Sequence, residues 1–180
     1  MIFNILNNKS IWKFLALASY SPGAGYYRGE IMELLKWNNV SLDRTLAKLE
    51  FYRIIKKEGR KIRLNFENKE TNILLQIVED EKRRMNYPSF ELFLVLTEFL
   101  RFIEGRDIDS VYLFGSHAKK TASAGSDIDI AVFSLAKINL VEAKDTVAEE
   151  LGKEIQLHYF GNSDKGKLVD EIKKHGIKIY

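Results

Sequence analysis

Apolar residues recur at helical spacing through the first half of the chain. Ser10 precedes a first predicted helix over 11–19, and the turn Ser21-Pro22-Gly23-Ala24-Gly25 stops it. A second helix is predicted over 29–37, with Ile31, Leu34 and Leu35 on one face, and Asn38-Asn39 form the next turn. Ser41 is expected to cap a third helix in which Leu42, Leu46, Leu49 and Phe51 recur. The period then falls to two. After Ile54-Ile55 and a turn near Glu58-Gly59-Arg60, the run Lys61-Ile62-Arg63-Leu64-Asn65-Phe66 alternates, which indicates a β-hairpin. Helical spacing returns over 72–84 and again through Leu92, Leu96, Phe99 and Leu100. Beyond 110, short apolar runs suited to strands (111–114, 126–132, 154–160 and 176–180) interleave with helical stretches over 139–151 and 164–175. That alternation predicts an α/β module.

The candidate chemistry sits where the first of these rear strands ends. Val111-Tyr112-Leu113-Phe114 runs into Gly115-Ser116, and after ten intervening residues comes Asp127, with Asp129 two further on, each followed by isoleucine. Residues two apart on a strand share a face, so both carboxylates would stand side by side while Ile128 and Ile130 fill the other face. Adjacent carboxylates repel unless a cation lies between them, and a hard ion such as Mg²⁺ favours oxygen ligands of this kind. A Gly-Ser turn supplies backbone N–H groups and a hydroxyl suited to phosphate. Strands are depleted in Asp, so two in one short apolar strand need a reason.

Phe114-Gly115-Ser116, the spacer, and Ser126-Asp127-Ile128-Asp129-Ile130 together resemble the signature of the DNA polymerase β superfamily, in particular its minimal nucleotidyltransferases. The resemblance covers 110–180. It implies transfer of a nucleoside monophosphate from a nucleoside triphosphate, ATP foremost, to an acceptor hydroxyl, with Mg²⁺ held by Asp127 and Asp129. It implies phosphate binding by Gly115, Ser116 and Ser126, with Lys119 or Lys120 pairing with the triphosphate. The family carries a third carboxylate on the next strand between apolar neighbours, and here that position is Gln156, which cannot act as a base. Glu154 and His158 share its face by alternation, and Glu154 is the candidate catalytic substitute. The acceptor, whether protein, nucleic acid or small molecule, is left open. So is a regulator in which the rear module binds nucleotide as an effector without chemistry.

Three helices followed by a hairpin over 9–66 resemble a winged helix-turn-helix. Charge agrees: eight cations between Arg44 and Arg63 face only Glu50 and Glu58. In such a fold the third helix enters the major groove and the wing meets the adjacent backbone, which nominates Arg44, Lys48, Arg53, Arg60, Lys61 and Arg63 for double-stranded DNA. Winged helices often bind DNA as dimers, which leaves a homodimer open.

The 180 residues carry a formal net charge of +3, unevenly spread. Residues 1–88 hold 16 Lys and Arg against 10 Asp and Glu, and the rest hold 12 against 15. A basic front and a mildly acidic rear suggest two modules: a winged helix over 1–70, a connecting helix over 71–88, and an α/β (α+β) nucleotidyltransferase domain with a mixed sheet over 89–180. The absence of cysteine excludes disulfides and thiolate metal sites and is compatible with a cytoplasmic location. The opening residues read as part of a first helix, not a signal peptide, and no apolar stretch is long enough to span a bilayer. A near-match to a phosphate-binding Walker loop, Gly161 through Lys167, is followed by Leu168 where a hydroxyl is needed, so it reads as a simple strand-to-helix connection.

Overall fold

A computed structural model of the chain describes residues 8–123, 125–136 and 138–180; the reading of the first seven residues lies outside them. The chain divides into two compact units, Met1–Arg83 and Arg84–Tyr180.

The first unit opens with α1 (Lys9–Ser19), α2 (Arg28–Leu35) and α3 (Asn39–Phe51), followed by a hairpin of β1 (Ile55–Glu58) and β2 (Lys61–Leu64). Helix starts fall two or three residues earlier than the serines suggest. The caps are Asn8, whose Oδ1 accepts from Ile11 N, and Asn38, whose Oδ1 accepts from Ser41 N at 2.8 Å. Asparagine satisfies an orphan N–H as well as serine does, so the asparagine preceding each serine took the role. Tyr26 pairs antiparallel with Ile62, adding a one-residue third rung to the hairpin. Ile11, Phe14, Leu15, Ile31, Leu42, Leu46, Leu49, Ile54 and Ile62 are buried in the unit. Phe51 is not among them: it lies 79% exposed at the end of α3, its ring edge-on to Tyr52. Helix α4 (Lys69–Arg84) begins after the hairpin, and its buried Leu74 and Val78 recur at helical spacing.

The second unit begins with α5 (Phe90–Ile103), capped by Ser89. It continues through β3 (Ser110–Leu113), the four-residue α6 (Gly115–Ala118), β4 (Ile128–Phe133), α7 (Val141–Leu151), β5 (Ile155–Phe160), α8 (Lys167–His175) and β6 (Ile177–Lys178). The sheet is mixed, in the order β5-β4-β3-β6. β3 runs antiparallel to β4 and β6, while β4 and β5 are parallel and joined by α7. The unit is therefore of the expected mixed α+β class. One sheet face carries Ile128, Ile130, Val132 and Ile155, and α5 packs on α7. On the other, Ala131 and Phe133 meet Val169 and Ile172 of α8. Asp129 belongs to this second face, one pleat beyond Ala131.

Candidate active site

β3 delivers the chain to Gly115 and β4 delivers it to Asp129. The strands are hydrogen-bonded at that end, Phe114 N donating to Asp129 O at 3.0 Å. Gly115 sits in the left-handed region with φ +67°, where L-residues are strained. A Cβ built there would lie 2.0 Å from Asp129 Oδ2 and 2.9 Å from its Cγ, so the Asp129 carboxylate occupies the space a side chain would need. The glycine is required twice over, by its backbone angle and by the carboxylate beside it. Ser116 follows in the first turn of α6, and its carbonyl accepts from Thr121 N at 2.9 Å.

Asp127 lies one residue before β4 begins, not within it. It is exposed, while Asp129 is partly buried. Parallel pairing sets Gln156 opposite Asp129, and Gln156 Nε2 donates to Asp127 Oδ2 at 2.5 Å. The position where the resemblance implies a third carboxylate is thus filled by an amide that hydrogen-bonds the first. Two residues on, His158 Nε2 lies 3.8 Å from Asp129 Oδ1 and has no hydrogen-bond partner among the described residues, its ring edge-on to Phe114 at 5.0 Å. Alternation alone puts His158 on the face of Gln156; register with β4 brings it to Asp129.

The pair offers a hard divalent ion two oxygen donors. Among the described residues no group of three or more His, Cys, Asp or Glu side chains could hold a metal. A Mg²⁺ ion is characteristically held by one or two carboxylates together with substrate phosphates and water, and this donor set fits that pattern. Glu154 precedes β5, is exposed, and uses its carbonyl to accept from Ile128 N at 3.1 Å. Ser126 is linked to Ser123, whose N–H donates to Ser126 Oγ at 2.9 Å, and this bond ties the loop before Asp127. Lys119 is exposed at the end of α6. The Walker-like loop is closed by its own carboxylate, Asp164 Oδ2 accepting from Gly161 N at 2.9 Å.

Residues 99–180 match the family model of polymerase beta, nucleotidyltransferase. The matched segment contains Gly115, Ser116, Asp127, Asp129 and Gln156. A crystal structure of a toxin–antitoxin with AMP-PNP is 22% identical over 47% of this chain and 72% of that one, with a TM-score of 0.40. A mutant of the toxin–antitoxin MntA-HpeT is 23% identical over 47% of this chain and 69% of that one, with a TM-score of 0.39. No curated protein matches the chain. No helix among the described residues is long and apolar enough to cross a membrane.

The basic residues of the first unit divide into two groups. Arg44 and Lys48 stand exposed four residues apart on α3, and Arg60 is exposed at the hairpin tip. Arg63 is engaged internally: its Nη1 donates to Gly23 O at 2.8 Å, its Nε lies 2.9 Å from Glu58, and its side chain packs where a Cβ on Gly25 would sit. Lys61 lies over the Tyr27 ring at 5.3 Å. Arg53 adopts φ +56° after α3, and its carbonyl accepts from Asn65 and Asn68.

Proposed function

We propose that the second unit transfers a nucleoside monophosphate from a nucleoside triphosphate to an acceptor hydroxyl, and that the first unit is a winged helix-turn-helix that binds double-stranded DNA. The observation that carries the transferase reading is the 2.0 Å approach of a would-be Gly115 Cβ to Asp129 Oδ2. It means that the turn suited to phosphate and the carboxylate suited to metal adjoin, with no room for a side chain on Gly115. Asp127 and Asp129 would hold Mg²⁺, which when bound supplies charge neutralisation and orientation for phosphate oxygens. The backbone of Gly115-Ser116, the hydroxyls of Ser116 and Ser126, and Lys119 would bind the phosphates of ATP or another triphosphate. In the transfer, the bond from the acceptor oxygen to the α-phosphorus forms as the α–β anhydride breaks, and pyrophosphate leaves. The acceptor's proton needs a base. Gln156 cannot take it, and Glu154 is the carboxylate assigned the task, with His158 the neighbouring alternative.

The hydrogen bond from Gln156 to Asp127 favours a second reading, in which the unit binds Mg²⁺-nucleotide as an effector and adjusts DNA binding without chemistry. Calorimetry with ATP, GTP, CTP and UTP, with and without Mg²⁺, on the wild type and on Asp129→Asn tests the shared site. Mg²⁺-dependent binding that vanishes in the variant is expected, and no binding of any nucleotide overturns both readings. Pyrophosphate release marks the enzyme. A nucleotide-dependent change in DNA affinity, matched by a DNA-dependent change in nucleotide affinity, marks the regulator.

A further inference from the structure

The second unit contains a cavity of about 300 Å³ that the carboxylate pair does not share. All of its lining residues belong to Arg84–Tyr180. Its apolar floor includes Leu113 and Ile177, which pair with each other across β3 and β6. Leu113 also pairs with Ile130, so by strand alternation this floor lies on the sheet face opposite Asp129. The rim is polar and comes from both ends of the unit. His117 and Lys120 approach from α6 and the turn after it, and Tyr87 from the segment before α5.

Two features set this cavity apart from an ordinary surface dent. Five non-glycine residues among those described have φ in the left-handed region, and three of them, Asn86, Tyr87 and Lys120, line it. Such a conformation is a true outlier for a bulky residue such as tyrosine, and strained backbone clusters where a ligand is clamped. The charge balance is also specific. Glu91 and Lys153 at the rim answer each other at 3.1 Å, whereas Lys120 makes no ion pair among the described residues. One uncompensated cation, an aromatic ring and an apolar floor in a space at the lower end of ligand-pocket sizes suit a small ligand with a flat apolar body and one phosphate.

The geometry points to a second ligand site here, for a nucleoside monophosphate, distinct from the site at Asp127 and Asp129 and independent of divalent metal. α6 lies between the two. Its first residue, Gly115, abuts Asp129, while its His117 lines the cavity with Nε2 3.3 Å from the carbonyl of Ser126, the residue before Asp127. Occupancy of the cavity therefore bears on the loop that presents Asp127.

The test is calorimetry of the full chain with 5′-AMP, GMP, CMP and UMP in EDTA, on the wild type and three variants. Binding of at least one monophosphate is expected, unchanged in Asp129→Asn. It should weaken at least tenfold in Ala122→Trp, which fills the cavity, and also in Lys120→Glu, an exposed substitution that leaves the core intact. Mg²⁺-nucleoside triphosphate binding should persist in Ala122→Trp. If no monophosphate binds, or if binding disappears in Asp129→Asn, the inference is wrong. Those outcomes are distinct from failure of the transferase reading, which is scored by Mg²⁺-triphosphate binding alone.

Discussion

In the hairpin unit, charges meet in pairs at the surface: Arg28 with Asp43 at 2.6 Å, Lys56 with Glu58 at 3.2 Å, and Lys57 with Glu50. In the sheet unit, two like charges stand at the start of β4, and one of them, Asp129, takes the space that a side chain on Gly115 would need. Exposed pairs of the first kind are each worth little and can be lost singly, because water and salt screen them. The second arrangement is held by sterics and register, so it is intolerant of change at a few positions. A surface of many weak ion pairs and a turn fixed by a few close contacts should therefore break differently under mutation.

The largest effect is expected at Gly115. Gly115→Ala places an L-residue at φ +67° against Asp129, at a cost of about 2–5 kcal/mol from left-handed strain and overpacking together. Urea unfolding measures the stability loss and calorimetry the accompanying loss of nucleotide binding. A variant with wild-type stability and affinity would remove the steric basis of the contrast. Next is Gln156→Asp, which replaces the amide donating to Asp127 with a third carboxylate. Melting in EDTA should fall by the equivalent of ~1 kcal/mol from like-charge repulsion, and divalent-ion affinity should rise about tenfold with the added ligand charge. Equal destabilisation with and without Mg²⁺ would mean that the pair is not a metal site.

The meeting of Gly115 with Asp129 was legible in the chain, because Gly-Ser and Asp-x-Asp lie close in sequence and flank neighbouring strands. What the sequence concealed was non-local. Asp127 falls outside β4, and only the parallel pairing of β4 with β5 shows that Gln156 bonds Asp127 and that His158 reaches Asp129. The cavity draws on residues from Met85 to Ile177 and has no local signature at all. In the first unit the order of three helices and a hairpin was readable from periodicity, but the caps were misplaced because Asn38 resembled a turn residue, and Phe51 proved exposed because its register on α3 turns it away from Leu42, Leu46 and Leu49.

A smaller effect separates cations that hold the hairpin unit together from those that stand on its surface. Arg63→Ala removes the bond to Gly23 O and the packing beside Gly25, and should cost stability by ~1 kcal/mol. Arg44→Ala and Lys48→Ala should leave stability within about 0.5 kcal/mol. If α3 meets DNA, each should lower the salt slope of binding by about one. Should Arg63→Ala weaken DNA binding with no loss of stability, the division between holding and reading residues fails.

The last effect, absent at neutral pH and seen only in strong alkali, concerns charge that the first unit does bury. Lys82 is 6% exposed, donates to Ser19 O at 3.2 Å, pairs with Glu79 at 2.7 Å and lies 4.5 Å from the centre of the Tyr20 ring. Burial, with a smaller push from Glu79, raises the Tyr20 phenol from 10.0 to about 12. The folded state therefore holds this proton more tightly than the unfolded chain. Its contribution is fully present below pH 10, begins to fall as the unfolded phenol ionises, and is gone once the pH passes about 12. Ultraviolet titration of the phenolate band, compared with Tyr20→Phe, should show one tyrosine ionising last, and the variant should lose less stability than the wild type between pH 10 and 12. A Tyr20 that ionises with the exposed tyrosines would mean that this cluster is open to water, and the first unit would then hold its charges at the surface throughout.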